Sequence, residues 1–355
     1  MFQAPSAKSK LGNYKLLSPN AGVRVSPLCL GAMNFGNKWG DFVGDITKEE
    51  AIKILDTYYE AGGNFIDTAN NYQNGESEEW IGEWMENRRN RDEIVLATKY
   101  TSSIAPNGHI AINHAGNSAK SLHVSVQESL RKLRTDYIDL LYLHWWDYTT
   151  SIEEVMRSLN HLVASGKVLY LGISDTPAWV VSAANTYAKD HGLAPFVVYQ
   201  GKWNISDRDF ERDILPMVRQ FGLGLAPWGV LGGGKFKKPE QNTNDRGRAV
   251  QEFTDRDTKV VEAIEEVANE LGATIPQVAL AYVIHKEPRT FPILGGRKAS
   301  HLQDNIKALD LKLTQEHINK LESVGTIDLG FPHNFIGGGV IKNNQWLARS
   351  GVLDE

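Results

Sequence analysis

The chain has 355 residues, a formal net charge of −5 and a single cysteine, Cys29. One cysteine excludes an intrachain disulfide, and because lysines and arginines form no clustered basic face, we expect no nucleic-acid partner. Its 41% hydrophobic and 23% charged residues are typical of a globular protein with a large core. No apolar run is long enough to span a membrane and the N-terminus lacks a secretory signal, so we expect a cytoplasmic protein.

The first predicted element is a β-hairpin over residues 12–26, which turns at Pro-Asn-Ala-Gly and is expected to cap one end of the fold. From residue 27 onward, short apolar runs rich in β-branched residues alternate with longer segments of helical period. This pattern is typical of repeated βα units. Eight such runs predict strands, at residues 27–32, 64–67, 93–99, 137–144, 168–174, 196–200, 222–228 and 290–294.

Helix signals separate these strands. Thr47 followed by Glu50, and Ser151 followed by Glu154, match the pattern of a capping box at a helix start. Eight parallel strands buried on both faces favour closure into an α/β fold of the (β/α)8 TIM barrel type over an open, doubly wound sheet. We expect one barrel domain over residues 1–355. Glycines typical of helix ends lie directly before strands at positions 62–63, 166 and 222.

Three long irregular segments are expected at the active-site mouth of this barrel. They are residues 101–120 after the third strand, residues 229–256 after the seventh strand, and a C-terminal tail over residues 325–355. Because the loops that follow barrel strands surround the active site, we expect substrate specificity to depend on them. They contain no readable motif, so the physiological substrate is not predicted.

Four ionisable residues lie at or just beyond the ends of successive strands, namely Asp67, Tyr72, Lys99 and His144. Singly, Asp67 can be a loop cap, Tyr72 a half-buried aromatic residue and His144 a hydrogen-bonded core residue. Lys99 is harder to place in an apolar strand, because an isolated buried ammonium is costly. Since the C-terminal ends of barrel strands converge on one mouth, the four together predict a catalytic site.

These residue types suit proton transfer to a carbonyl oxygen. A phenol has a pKa of about 10, which is too high for easy proton exchange near neutrality. We expect the Lys99 ammonium to lower the pKa of Tyr72, while Asp67 offsets the cost of burying that ammonium. Tyr72 then becomes a general acid. His144 can orient the substrate oxygen and support the alkoxide that forms when hydride arrives.

A glycine-rich stretch over residues 229–236, GVLGGGKF, nearly matches the phosphate-binding pattern of nucleoside triphosphatases. Phe236 occupies the position of the hydroxyl that binds Mg²⁺, so a triphosphatase is excluded. The glycines still allow backbone N–H groups to approach a pyrophosphate, and Lys235 can pair with it. No G-x-G-x-x-G motif follows a strand, so a Rossmann domain is not predicted.

After the eighth strand, Gly295, Gly296, Arg297 and Lys298 precede a helix predicted to start near Ser300. A helix N-terminus flanked by arginine and lysine suits the 2′-phosphate that separates NADP from NAD, although surface cations near a helix start are the alternative. The pattern favours NADPH as the cofactor. No metal site is expected, because the histidines show no HExxH or Cys/His ligand spacing.

The segments around these positions resemble the aldo-keto reductase superfamily over nearly the whole chain. The resemblance implies that the superfamily's catalytic Asp, Tyr, Lys and His fall on Asp67, Tyr72, Lys99 and His144. Within the superfamily, the sequence is most similar to fungal aryl-alcohol dehydrogenases and norsolorinic acid reductases. The segments that carry the resemblance are NFIDTANNY (64–72), LATK (96–99), LHWWD (143–147), GKVLYLGISDTPAW (166–179), APWGVLGGGKF (226–236) and PILGGRKASHLQDNI (292–306).

The resemblance also implies the cofactor contacts. Ser174, Asp175 and Gln200 match residues that bind the nicotinamide carboxamide, and Trp228 matches an aromatic residue that stacks on the ring, with a core tryptophan as the alternative. Many relatives have Ser-Asn where this chain has Ser-Asp, and an aspartate can accept from the carboxamide but cannot donate to it. The other implied contacts are Asp67, Gly229, Val230, Leu231, Gly232, Gly233, Gly234, Lys235, Gly295, Gly296, Arg297, Lys298, Asp304 and Asn305.

We therefore predict an NADP-dependent oxidoreductase that reversibly reduces a small aldehyde or ketone, aromatic in character, to an alcohol. His144 and Trp145 are predicted to contact this substrate. Aromatic residues expected near the mouth, which either stack on the substrate or only pack, are Trp145, Trp146, Tyr148, Trp203 and Trp346.

Two alternatives remain. One is an NADPH-binding, redox-sensing regulatory subunit like the potassium-channel β-subunits, which share the fold and the four residues. The lack of a long N-terminal inactivating segment counts against it. The other is a metal-dependent barrel hydrolase that uses His144 and Asp67, for which the further metal ligands are missing. As in the superfamily, we expect a monomer or a loose homo-oligomer.

Overall fold

A computed structural model describes residues 6–44, 46–237, 253–338 and 344–350 of the chain. Residues 238–252 belong to the predicted long loop after the seventh strand, and residues 339–343 and 351–355 belong to the predicted C-terminal tail. The expectations for these segments lie outside the described residues. The hairpin and all eight predicted barrel strands lie within the residues that the structure describes.

An antiparallel hairpin of β1 (Lys15–Ser18) and β2 (Ala21–Val25) precedes the barrel, as predicted. Its turn contains only Pro19 and Asn20, rather than the four residues expected, because β2 already begins at Ala21, which pairs with Ser18. Leu17 is fully buried and packs with apolar side chains of the barrel interior. The hairpin therefore covers one end of the barrel.

Eight parallel strands form the barrel, which confirms the predicted TIM-barrel class. They pair in the order β10-β3-β4-β5-β6-β7-β8-β9, and a bridge between Leu225 and Thr290 joins the two ends of the sheet. The strands are β3 (Cys29–Gly31), β4 (Phe65–Asp67), β5 (Val95–Tyr100), β6 (Ile138–Leu143), β7 (Val168–Ser174), β8 (Phe196–Lys202), β9 (Gly224–Trp228) and β10 (Ile293–Leu294).

Helices follow the strands and form the outer layer. The glycines predicted to end helices at positions 62–63, 166 and 222 lie just beyond the helices that end at Glu60, Ala164 and Phe221. The described α-helices are α1 (Gly40–Val43), α2 (Lys48–Glu60), α3 (Glu76–Arg88), α4 (Ala119–Leu133), α5 (Ile152–Ala164), α6 (Ala178–Asp190), α7 (Ile214–Phe221), α8 (Asp255–Leu271), α9 (Ile275–Lys286), α10 (Ala299–Ile306), α11 (Gln315–Val324), α12 (His333–Ile336) and α13 (Gln345–Ala348).

The two predicted capping boxes differ in the structure. At the start of α2, Thr47 and Glu50 exchange both hydrogen bonds at 3.2 Å, so the box is complete. At the start of α5, the Ser151 hydroxyl accepts from the Glu154 N–H, but the Glu154 carboxylate accepts from the Ala119 N–H at 3.0 Å. The second glutamate therefore links α5 to α4 instead of completing a box.

Apolar side chains fill both faces of the sheet. One buried cluster lies inside the barrel and a larger one lies between the strands and the helices. β5 and β6 are buried along their whole length, which is why most of their residues are apolar on both faces instead of alternating with exposed polar residues. Among the described helices, none alone is long and apolar enough to span a membrane, and α8 with α9 meets that test only as a pair bent by 93°.

Helices α3 and α4 cross closely at Gly82, where a Cβ would overlap the Lys132 carbonyl oxygen and lie 2.8 Å from Leu133 Cα. We therefore expect Gly82→Ala to destabilise the protein by about 1–3 kcal/mol, because overpacking forces the two backbones apart. Urea denaturation measures the change. Gly22→Ala, where no atom lies within 4 Å, is the control. Equal denaturation midpoints for both variants would contradict this prediction.

Candidate active site

The C-terminal ends of three neighbouring strands carry ionisable side chains to one mouth of the barrel. Asp67 is the last residue of β4, Lys99 lies one residue before the end of β5, and His144 directly follows β6. Tyr72 begins a short helical turn between β4 and α3. Because parallel barrel strands end on the same side, the structure brings all four predicted residues together. Asp67, Tyr72, Lys99 and His144 form a tetrad.

Lys99 and Asp67 form a buried ion pair. Lys99 Nζ lies 2.5 Å from Asp67 Oδ1 and donates a second hydrogen bond to the Thr68 carbonyl at 2.7 Å. The other carboxylate oxygen of Asp67 accepts from Gln200 Nε2 at 2.9 Å. Burial alone would lower the pKa of Lys99, but the neighbouring Asp67 and Tyr72 outweigh burial and raise it. Lys99 therefore stays charged at neutral pH.

Tyr72 lies over this ion pair. Lys99 Nζ is 5.0 Å from the centroid of the Tyr72 ring, and the His144 ring meets it edge to face at 5.8 Å. Burial raises the pKa of Tyr72; Lys99 lowers it, as expected, but Asp67 and Asp175 oppose Lys99. The prediction that the pKa of Tyr72 lies below its ordinary value is therefore wrong, because burial raises this pKa by more than Lys99 lowers it. The phenol keeps its proton at neutral pH, as a proton donor must.

His144 is neutral at this mouth. Burial and the positive charge of Lys99 lower the pKa of His144 to about 3. Its Nδ1 atom is buried and has no hydrogen-bond partner among the residues that the structure describes. A neutral imidazole has one donor and one acceptor nitrogen. His144 can therefore donate a hydrogen bond to a substrate oxygen without adding a charge to the site.

The turn that carries Tyr72 has an uncommon backbone conformation. Gln73 and Asn74 have φ angles of 53° and 56°, which residues with a side chain adopt at a cost in free energy. Gln73 Oε1 accepts hydrogen bonds from the backbone N–H groups of Lys38 and Trp39, at 2.9 and 2.7 Å. These bonds hold the turn against the loop that follows β3.

A second buried ion pair, which sequence reasoning missed, supports the same region. Lys132 Nζ of α4 lies 2.5 Å from Glu78 Oε2 of α3, and both side chains are buried. Lys132 also donates to the Asn70 carbonyl at 2.8 Å, and Glu78 accepts from Thr98 at 2.6 Å. The pair thus joins the loop after β4 to β5. Helical periodicity places Lys132 on the buried face of α4, which is the signal that could have revealed it.

A cavity of about 630 Å³ includes the tetrad mouth and extends to the loop before α10. Tyr72 and His144 line it near the tetrad, and Arg297 lines it at the loop. The predicted cofactor contacts that line the cavity are Asp67, Asp175, Gln200, Trp228, Gly229, Val230, Leu231, Gly233, Gly234, Gly295, Gly296 and Arg297.

The other predicted cofactor contacts are not part of this lining. Lys235 forms an ion pair with Asp257 at 2.9 Å, and Asp304 accepts from Gln277 Nε2 at 2.9 Å. Both side chains are thus held by neighbouring helices. Lys298 is exposed at the start of α10. The predicted contacts outside the lining are Ser174, Gly232, Lys235, Lys298, Asp304 and Asn305.

The glycines along the cavity leave room for phosphate groups. Gly233 and Gly234 have φ angles of 67° and 97°, and no atom lies within 4 Å of the position that a Cβ would take at either residue. The same space is open at Gly295 and Gly296. Side chains would fill it, whereas glycines let backbone N–H groups approach an anion. With Arg297 in the same lining, the residues present fit a nicotinamide dinucleotide.

The aromatic residues expected near the mouth do not line the cavity. Trp203 is fully buried and stacks on Phe210 with ring centroids 5.4 Å apart, so it is a core residue. Trp145 is partly exposed and donates to Ser102. Trp39, which sequence reasoning missed, does line the cavity and contacts Tyr72 edge to face at 6.1 Å. The aromatic lining residues are Trp39, Tyr72, Trp228 and Phe236.

The closed barrel with the tetrad at its mouth is the arrangement that the resemblance to oxidoreductases implies. The chain belongs to the aldo/keto reductase family, whose model matches residues 27–326. A putative aryl-alcohol dehydrogenase of Saccharomyces cerevisiae is 54% identical over 345 residues, which cover 94% of this chain and 92% of the relative. Norsolorinic acid reductase A of Aspergillus parasiticus is 54% identical over 335 residues, which cover 94% and 86%. These matches confirm the family and the similarity to aryl-alcohol dehydrogenases and norsolorinic acid reductases that the motifs predicted.

The buried Glu78–Lys132 pair yields a stability prediction. Lys132→Met should destabilise the protein by about 3–5 kcal/mol, because it leaves the Glu78 carboxylate buried without its cation. The free energy of unfolding from urea denaturation measures this loss.

The neighbouring residue supplies a matched control. Arg131 pairs with Glu128 on the exposed side of α4, so Arg131→Met should cost less than about 1 kcal/mol. If the two variants lose the same amount of stability, the buried Glu78–Lys132 pair does not make the contribution to the free energy of unfolding that is predicted for it.

Proposed function

We propose that this chain uses NADPH to reduce an aldehyde or ketone, aromatic in character, to an alcohol, and also catalyses the reverse oxidation. The observation that carries the proposal is the buried Lys99–Asp67 pair next to Tyr72, in a cavity that His144 also lines. A phenol held beside a permanent cation is suited to exchanging a proton with a substrate oxygen.

Each member of the tetrad then has a distinct role. Tyr72 donates its hydroxyl proton to the carbonyl oxygen. Lys99 stabilises the phenolate that remains, and Asp67 keeps Lys99 charged and in position. His144 is neutral, so it can orient the substrate oxygen through a hydrogen bond without competing as an acid.

The proposed cofactor supplies the hydride when it is bound. Asp175, Gln200 and Trp228 line the cavity near the tetrad and would hold the nicotinamide end. The glycine-rich loop over residues 229–234 would hold the pyrophosphate through backbone N–H groups. Arg297 would pair with the 2′-phosphate of NADPH, since a guanidinium matches a phosphate with two hydrogen bonds.

An aromatic substrate is supported by two independent observations. The relatives named above are an aryl-alcohol dehydrogenase and a norsolorinic acid reductase. In this chain, the indole rings of Trp39 and Trp228 line the cavity and offer flat apolar surfaces for stacking.

We also propose that the hairpin, barrel and tail work as one domain. Arg212, just before α7, donates to the carbonyls of Asp328 and Leu329 at 2.8 and 3.0 Å, which ties the start of the tail to the barrel.

A direct assay tests the function. The purified chain is mixed with NADPH and 3,4-dimethoxybenzaldehyde, and the loss of reduced-nicotinamide absorbance is followed. We expect turnover here and across a panel of aromatic aldehydes. NADPH binding without turnover would favour the regulatory-subunit alternative, and failure to bind NADPH would overturn the proposal.

Tyr72→Phe should still bind NADPH but lose reductase activity by about 100-fold to 10,000-fold, because only the proton donor is removed. Steady-state rates with the same aldehyde measure the loss. Tyr148→Phe, at an exposed tyrosine outside the cavity, should keep normal activity. Full activity of the Tyr72 variant would show that the proton comes from another group.

Arg297→Ala should weaken NADPH binding by about 10-fold to 100-fold, as expected for the loss of charge-assisted hydrogen bonds, and should change NADH binding little. Calorimetric titration with each cofactor measures both affinities. Arg131→Ala, on the outside of the barrel, serves as the control. An equal loss for NADPH and NADH would mean that Arg297 does not bind the 2′-phosphate.

A further inference from the structure

Asp175 places a second carboxylate in the part of the cavity that contains the tetrad. It directly follows β7 and lines the cavity together with Asp67 and Tyr72. Trp228 Nε1 donates to Asp175 Oδ1 at 3.0 Å, and the Asp175 N–H donates to the Gln200 carbonyl at 3.0 Å. Side chain and backbone are thus both held, so the carboxylate has a defined position.

The charge of Asp175 is not neutralised by an ion pair with a described residue. Lys99 already pairs with Asp67, at 2.5 Å. Burial raises the pKa of Asp175 above its ordinary value, whereas hydrogen bonds from Trp228 and Ser174 and the more distant charge of Lys99 oppose that rise. The indole N–H of Trp228 is a neutral donor, and His144 carries no charge at neutral pH. The part of the cavity around the tetrad therefore has one excess negative charge.

This charge reaches the reacting atoms. Asp175 and Tyr72 line the same cavity, and the charge of Asp175 is one of the causes that raise the pKa of Tyr72, after burial and Asp67. The hydride donor and the proton donor must act on the two ends of one carbonyl bond. A nicotinamide ring that shares a carbonyl with Tyr72 would therefore also lie within range of the Asp175 charge.

The two redox forms of a nicotinamide differ by one positive charge, because the oxidised ring is a cation and the reduced ring is neutral. During reduction, the carbonyl carbon gains a hydride with its electron pair, the carbonyl oxygen gains the Tyr72 proton, and the ring becomes cationic. A fixed carboxylate stabilises this positive charge as it develops.

We infer that Asp175 makes the site bind the oxidised, cationic cofactor more tightly than the reduced one, and so biases the bound reactants toward alcohol formation. The inference rests on the proposed function. Tighter binding of the oxidised form makes the bound reduced form a stronger hydride donor, since binding and reaction are linked in one thermodynamic cycle.

Asp175→Asn tests this inference with little structural change. An asparagine oxygen can still accept from Trp228, and asparagine tolerates the φ of 42° at this position. The full-length chain is titrated by calorimetry with NADP⁺ and, separately, with NADPH at about pH 8, on the alkaline side because burial raises the pKa of Asp175. We expect the Kd for NADP⁺ to rise about tenfold and the Kd for NADPH to change less than about twofold.

Two control variants separate charge from shape. Asp190→Asn removes an exposed carboxylate at the end of α6 and should change neither Kd. Trp228→Phe removes the indole donor, whose hydrogen bond lowers the pKa of Asp175, so this variant is titrated at about pH 9 as well, where the carboxylate charge and the preference for NADP⁺ should persist. If Trp228→Phe abolishes the preference as fully as Asp175→Asn does, the indole and not the carboxylate is responsible, and the inference is overturned.

The remaining outcomes distinguish this inference from the proposed function. If Asp175→Asn changes both Kd values by the same factor, or neither of them, the inference is wrong and the proposed function stands. If the unaltered chain binds neither cofactor form, the proposed function is wrong and the inference falls with it.

Discussion

The buried ion pair between Lys99 and Asp67 is the interaction on which the chemistry of this barrel depends. Neither charge could remain ionised alone in such a position, because burial disfavours both. The pair is stable because hydrogen bonds from Lys99 to the Thr68 carbonyl and from Gln200 to Asp67 complete it. The charge of Lys99 then acts on two neighbours: it partly offsets the rise that burial causes in the pKa of Tyr72, and it adds to burial in lowering the pKa of His144.

The surrounding structure holds this pair and the turn above it in place. Strand pairing aligns β4, β5 and β6, so the positions of Asp67 and Lys99 are set by backbone hydrogen bonds. Tyr72 is on a turn rather than a strand, and needs other support. The Glu78–Lys132 pair and the Gln73 hydrogen bonds supply it from α3, α4 and the loop after β3.

The charges along the cavity are unevenly distributed. Around the tetrad, Asp175 adds a negative charge to a neutral ion pair, whereas Arg297 provides a positive charge at the loop before α10. A ligand with phosphates at one end and a ring that becomes cationic at the other matches this distribution. Under the proposed function, the same arrangement would both orient the cofactor and stabilise the charge that develops during the reaction.

The residue pattern was enough to predict the hairpin, the eight strands and the convergence of Asp67, Tyr72, Lys99 and His144, because largely apolar runs identify buried parallel strands whose C-terminal ends must meet. Properties that depend on burial and on distant partners could be known only from the folded chain. Burial, which no local pattern measures, reversed the expected direction of the Tyr72 pKa. Contacts between distant segments paired Lys132 with Glu78 and placed Trp39 in the cavity, whereas Trp203 became part of the core.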